Sequence, residues 1–400
     1  MTTRQILLIL LLAFAVTTKT TACSGFKLTF NGKTFVGLNE DFFDPYTVLS
    51  TKKPTLNTLG ILYFGYKDSP KESAINEKGL IMDGFYTPIR KIKKTTGIKL
   101  TDKTFEALKE EILLKCSTIE EVIKLVKKYD LSIMSSGQLF LVDKSGNSLI
   151  IEADTLIQSN NNYEVVTNFH KSTISQSSPV TCNRYITADS ILSKEKELSV
   201  TNCKNILNSI HQSKGMYTQY SQIFDLSSGK IYLYLFHNFD EEISFNISDI
   251  INQELNSVPM SNYFKNKTNY NNYLNSQVTT SRISKEINNI ISLDKMSSLI
   301  DTLVTLPYNL PEIYADNLIG IGIDNAKHND MKKAEQILSF LVKLNLLTLG
   351  ASQIEYLSAY IDNYKKNYST AKQHIDLALN RQPKNKDYLL LKKAIGKNIK

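Results

Sequence analysis

Cys23 constrains this 400-residue chain more than any other position, because the segment ahead of it has the layout of a removable export signal. Arg4 precedes an apolar run at residues 6–16, too short to cross a bilayer, and Thr20-Thr21-Ala22 supplies small residues at the cut. Cleavage after Ala22 is expected, with residues 1–22 as signal peptide and Cys23-Ser24-Gly25-Phe26 as the new start. A terminal cysteine carries a nucleophile and an α-amine base in one residue, so it can attack an acyl carbon without a histidine.

Two other readings of Cys23 stand beside that one. A lipoprotein signal also ends at a cysteine, but usually with a branched apolar residue three positions earlier, directly against the apolar core. Here Thr20 holds that place and Lys19 separates it from the core. The other reading is a disulfide with Cys116, Cys182 or Cys203. Four cysteines are too few for a disulfide scaffold in a chain of this length, and they allow three pairings. Cys116 falls in a helical pattern and is expected to be a buried thiol.

Residues 26–30 and 34–36 flank Asn31-Gly32, the strongest short-range hairpin signal. With those two residues in the loop, Phe30 pairs with Lys33, and Cys23 lies opposite Glu40, with Asn39 and Asp41 as neighbours. Local geometry thus delivers a carboxylate to the terminal cysteine, where it can bond an α-ammonium or orient an α-amine.

Further segments follow in order. Asn76-Glu77-Lys78-Gly79-Leu80 precedes Ile81-Met82-Asp83-Gly84; Val165-Val166-Thr167-Asn168 ends a strand-like run; Cys182-Asn183-Arg184-Tyr185 opens a helix. Together they resemble the linear-amide C–N hydrolases of the N-terminal-nucleophile (Ntn) superfamily, which include choloylglycine hydrolases, penicillin V acylase, acid ceramidase and the penicillin acyltransferases. The resemblance covers residues 23–255. It implies Cys23 as nucleophile, Asp41 as the aspartate closing the first hairpin, Asn168 as the asparagine of the oxyanion site, and Arg184 as an arginine that favours the thiolate. Two positions depart from the bile-salt hydrolase pattern: Leu38 replaces an arginine, and Tyr86 replaces an asparagine. Both departures count against bile-salt or penicillin specificity. They leave one oxyanion donor to a backbone N–H or to the Tyr86 hydroxyl.

The chemistry needs these groups. Amide cleavage requires a nucleophile, a proton acceptor that later donates, and donors for the developing oxyanion. An α-amine titrating at about 7.7–8.0 can fill both proton roles near neutrality. His170, two residues after Asn168, is a candidate substrate contact together with Asn39, Phe85 and Tyr86. Phe42, Phe43, Phe85 and Tyr86 serve equally as an acyl pocket or as ordinary core. No His-Glu-x-x-His, paired Cys-x-x-Cys or phosphate-binding glycine loop occurs, so no metal or cofactor is implied.

Beyond the signal, residues 23–255 read as mixed strand and helix (α+β), with amphipathic helices at 104–128 and 185–213 between strand clusters. The resemblance implies a four-layer αββα Ntn-hydrolase sandwich. Residues 256–284 are Asn/Ser/Thr-rich and read as a polar linker or excursion. Residues 285–400 read as a small all-helical C-terminal domain. In it Lys332-Lys333-Ala334-Glu335-Gln336-Ile337 is echoed by Ser369-Thr370-Ala371-Lys372-Gln373-His374-Ile375, a spacing that resembles a tetratricopeptide helix pair. Two copies fall short of a free-standing array, so this tail is expected to pack on the rest of the chain, on a second copy, or on a protein partner.

Losing Arg4 and Lys19 takes the formal charge from +8 to +6, dispersed and without a nucleic-acid motif. No other segment reads as a membrane span. The expectation is a secreted or periplasmic N-terminal-cysteine amidohydrolase acting on a small-molecule N-acyl amide, or an acyltransferase using the same site. The alternative from another class is a lipid-anchored, non-catalytic envelope protein that binds a partner through its helical tail.

Overall fold

A computed structural model describes residues 23–398 except 94, 176–178, 196, 214–215, 289–294, 296–297, 300–301, 303–304, 309–310, 344–350 and 384. The expected signal peptide lies outside the described residues. The chain divides into two compact units, one ending at Tyr270 and the other starting at Asn271.

The first unit begins with the hairpin read from the sequence. Strand β1 (Ser24–Phe30) pairs with β2 (Lys33–Phe42) from Ser24↔Asn39 to Phe30↔Lys33. Asn31 and Gly32 both take positive φ, +50° and +72°, the conformation a two-residue type I′ turn demands. Strands β3 (Thr47–Lys52), β4 (Ile61–Tyr66), β5 (Ser69–Asn76) and β6 (Ile81–Tyr86) follow. After them come a two-residue parallel pair, β7 (Ile98–Lys99) and β8 (Tyr129–Asp130), and then β9 (Gly137–Val142), β10 (Ser148–Glu152), β11 (Thr155–Ser159) and β12 (Tyr163–Val166). The last strands are β13 (Tyr217–Asp225), β14 (Lys230–Leu235), β15 (Ile243–Asn246) and β16 (Val258–Pro259). They form one sheet in the order β12-β1-β2-β13-β14-β15 and a second in the order β11-β10-β9-β6-β5-β4-β3-β16.

The two expected long helices are each two helices. Residues 104–128 form α1 (Asp102–Lys115) and α2 (Ile119–Val126), because Thr118 and Glu121 make a capping box that restarts the helix. Residues 185–213 form α3 (Asn183–Leu192) and α4 (Val200–Ile210), the second capped by the Ser199 hydroxyl on the Asn202 N–H. Helices α1 and α2 bury Leu108, Ile112, Val122 and Val126 against Ile61, Tyr63, Met82 and Leu141 of the second sheet. Helices α3 and α4 bury Ala188, Leu192, Ile206 and Leu207 against Phe26, Phe35, Ile223 and Tyr234 of the first. The opposite faces of the two sheets touch. Phe64 meets Phe224 edge-on at 5.7 Å between ring centroids, and Gln222 Nε2 donates to Ser73 Oγ at 3.0 Å. Strands near this contact, such as β4 and most of β2, are therefore buried along nearly their whole length.

Downstream, the stretch expected as a linker is partly helical. After the short α5 (Ile247–Ile250), α6 runs Thr268–Asn288 and buries Tyr270, Tyr273, Ser276, Thr280 and Ile283, a helical stripe. Two of those five positions are Ser276 and Thr280, so apolar periodicity alone does not reveal it. Further helices described in the second unit are α7 (Pro311–Lys327), α8 (Met331–Lys343), α9 (Ala351–Tyr364), α10 (Tyr368–Arg381) and α11 (Lys386–Asn398). Ala334, Ala359, Ala371 and Ala378 are fully buried within it. Among the described residues no helix is long and apolar enough to cross a membrane.

Gly37 on β2 tests the packing beneath the hairpin. A Cβ there would stand 2.5 Å from Phe26 Cε1 and Cζ, and Phe26 is fully buried. Gly37→Ala is expected to destabilise the chain by about 1–3 kcal/mol in urea unfolding, the usual cost of overpacking.

Candidate active site

The hairpin register puts Cys23 beside Glu40, and the side chains meet: Sγ donates to Glu40 Oε2 at 3.0 Å. Because side chains alternate along a strand, Glu40 and its two neighbours serve opposite faces of the sheet. Glu40 faces the second sheet, where it interacts electrostatically with Asp83 of β6. Asn39 and Asp41 face α3, α4 and the segments around them. Asn39 donates to Leu207 O at 3.0 Å and accepts from Ser221 Oγ at 2.7 Å. Fully buried, Asn39 ties β2 to α4 through these bonds.

Arg184, in the first turn of α3, organises the other face. Its Nη1 donates to Cys23 O and to Asp41 Oδ2, both at 3.1 Å, and its Nη2 donates to Asn168 Oδ1 at 2.7 Å. Asp41 also accepts from Gln212 Nε2 at 2.7 Å and from the Thr218 hydroxyl. Asn168 is buried and gives one amide hydrogen to Tyr86 O at 2.9 Å, leaving the second hydrogen of its N–H₂ for another acceptor. The structure therefore gathers Cys23, Asp41, Asn168 and Arg184 into one connected group.

The electrostatics differ from the sequence expectation. Arg184 reaches the carbonyl of Cys23, not its sulfur. Burial pushes the thiol well above the usual cysteine range, and Glu40, Asp83 and Asp41 push it further. Cys23 is held as a thiol. The carboxyls are raised too: Glu40 to about 7, mainly by burial, and Asp41 to about 6, where Arg184 offsets part of the burial effect. Asp83 is raised well above the carboxylate range by burial and by Glu40. Among the described residues no N–H or hydroxyl donor reaches Glu40 Oε1 or Asp83 Oδ2.

The remaining candidates lie apart from the thiol or serve as core. Phe85 is buried, with its ring over Gly25. The Tyr86 side chain is 73 % exposed, so only its backbone carbonyl joins the site. His170 is buried, with Nε2 at 2.9 Å from Thr87 Oγ1 and 3.0 Å from Pro88 O, which fastens the segment after β6 to the segment after Asn168. Glu152, fully buried, holds the same region through Arg90 Nη2 at 3.1 Å and through Ser172. All four cysteines are free thiols. Among the described residues no group of three or more His, Cys, Asp or Glu is arranged to hold a metal ion.

Two outcomes follow from this charge arrangement. Arg184→Ala strips buried Asp41 of its cation and is expected to cost about 3 kcal/mol in urea unfolding. Glu40 has a folded value near 7, above its unfolded one, so its contribution to stability is full at low pH and is lost as pH rises through 7. The melting temperature of Glu40→Gln relative to wild type is therefore expected to be higher at pH 8 than at pH 5.

The chain matches no family model and no curated protein. Among solved structures it is similar to a variant of conjugated bile acid hydrolase from Clostridium perfringens, at 16 % identity and a TM-score of 0.46, covering 62 % of this chain and 99 % of that one. A second mutant of that hydrolase aligns at 17 % identity over 62 % and 98 % of the two chains, with a TM-score of 0.44. Penicillin V acylase from Agrobacterium tumefaciens aligns at 14 % identity over 53 % and 82 %, with a TM-score of 0.40.

Proposed function

We propose that this chain is an exported amidohydrolase that cleaves a linear, non-peptide C–N bond of an N-acyl amide through a thioester on Cys23. The observation that carries the reading is a single constellation. The Cys23 thiol is hydrogen-bonded to a carboxylate at 3.0 Å, and Arg184 joins the Cys23 carbonyl to Asp41 and Asn168. Helices on the outer face of each sheet and contact between the inner faces support the four-layer αββα Ntn-hydrolase arrangement for the first unit. Buried alanines in the second unit support tetratricopeptide-like helix pairs.

In the reaction, Sγ attacks the carbonyl carbon, the oxyanion takes the remaining Asn168 N–H, and the amine leaves with a proton. Water then attacks the thioester and frees the acid. An amine in place of that water makes a new amide, which is the acyltransfer form of the same chemistry. The thiol proton must leave as the S–C bond forms. The acceptors in view are Glu40 and, on a chain cut after Ala22, the α-amine of Cys23.

The test is turnover of a series of N-acyl p-nitroanilides of increasing chain length by the exported chain, with intact mass defining its N-terminus. Release of p-nitroaniline by wild type, abolished in Cys23→Ala and reduced about 10²–10³-fold in kcat in Asn168→Ala, is expected. Equal turnover in Cys23→Ala, or a diacylglyceryl group on Cys23, contradicts the reading.

A further inference from the structure

Asn168 stands where strand pairing no longer holds the backbone. The ladder between β12 and β1 runs from Leu28↔Tyr163 to Gly25↔Val166, so it stops two residues short of Asn168, and β12 is the outer strand of its sheet. A donor to a developing oxyanion works only when it is fixed in advance at the place where the charge appears. The Asn168 side chain has two anchors, Arg184 Nη2 at 2.7 Å from Oδ1 and Tyr86 O at 2.9 Å from Nδ2. Its backbone has a third. Gln138, on β9 of the second sheet and 2 % exposed, donates from Nε2 to Thr167 O at 2.7 Å and to Phe169 O at 3.0 Å. Those are the carbonyls on either side of Asn168. A side-chain amide has two N–H hydrogens, and here both go to one segment. The register of β9 with β6 sets Gln138 opposite Phe85, one residue from Tyr86. Paired strands thus supply the grip on the Asn168 backbone and the acceptor for its side chain. Gln138 Oε1 is buried and takes no hydrogen bond among the described residues. An orphaned acceptor of that kind is a cost that an apolar side chain at this position would avoid. What the amide gives in return is its hold on the two carbonyls.

We propose that Gln138 is a positioning residue for the reaction: by gripping both carbonyls that flank Asn168, it sets the direction of the Asn168 N–H left for the oxyanion. It acts through Asn168, and the proposal rests on the reading of Asn168 as oxyanion donor. Without Gln138 the segment between β12 and His170 is free to turn about Asn168, and the remaining N–H points away from the place where charge develops. The hydrogen bond so lost belongs to the transition state and not to the bound substrate, so kcat falls while KM stays.

The test is steady-state turnover of an N-acyl p-nitroanilide by wild type, Gln138→Met, Gln138→Glu, Asn168→Ala and the two double variants. The first substitution keeps the volume and removes both donors. The second keeps the shape and turns an acceptor toward the carbonyls. Each is expected to lower kcat about 10–100-fold with KM changed by less than about twofold, the scale of a displaced catalytic group. In the Asn168→Ala background the same substitutions are expected to change kcat by less than about twofold, because the group they displace is already gone. A residue that serves stability alone lowers kcat by the same factor in both backgrounds. Alkylation of Cys23 by iodoacetamide is expected to keep its wild-type rate in the Gln138 variants, which reports a folded site. Where one variant does not fold, the other carries the comparison. Wild-type kcat in the Gln138 variants, or an equal loss with and without Asn168, overturns the proposal and leaves the amidohydrolase reading intact. Wild-type kcat in Asn168→Ala contradicts the oxyanion assignment, and absence of turnover by wild type contradicts the amidohydrolase reading itself; the proposal falls with either.

Discussion

The pairing of β1 with β2 is the constraint on which the site depends. Asn31 and Gly32 tolerate the positive φ angles of a two-residue turn, and that turn sets every cross-strand pair back to Ser24↔Asn39. A slip of one residue reverses the face to which each side chain points. Glu40 would then turn to the helices and Asn39 to the thiol. The correct register separates two jobs on adjacent residues. Glu40 meets the Cys23 thiol between the sheets, while Asn39 and Asp41 anchor the strand to α4 and to Arg184.

That separation explains the charge state of the site. A guanidinium beside a cysteine would ordinarily favour the thiolate. Here the guanidinium is committed to carbonyl, carboxylate and amide oxygens, and the sulfur faces carboxyls instead. Burial and these carboxyls therefore favour the protonated thiol. The same dry surroundings make the site costly to maintain above neutral pH, where its carboxyls must ionise without a matching number of cations.

Much of the site was legible because it is encoded locally. Asn31-Gly32 predicts the register, and the order of Cys23, Asp41, Asn168 and Arg184 marks four residues that the fold joins. What was not legible depends on contacts between distant elements. Asp83 stands within Ile81-Met82-Asp83-Gly84-Phe85-Tyr86, and a buried carboxyl in an apolar strand is a signal in itself, but only sheet pairing shows that it faces Glu40. Arg184 was placed in the right neighbourhood and given the wrong atom, because proximity in a motif does not say which end of a cysteine is touched. Thr118 and Glu121 carried a readable capping box that splits the helical pattern at 104–128. Helix α6 stayed hidden because Ser276 and Thr280 occupy two of its buried positions.

The most direct measurement is rapid-quench intact-mass and peptide-mapping spectrometry of the protein during turnover of an N-acyl p-nitroanilide. An adduct of the acyl mass on Cys23, formed and lost at rates matching p-nitroaniline release, is the predicted result. Release of p-nitroaniline with no acyl adduct, or with the adduct on Cys182, would contradict the account.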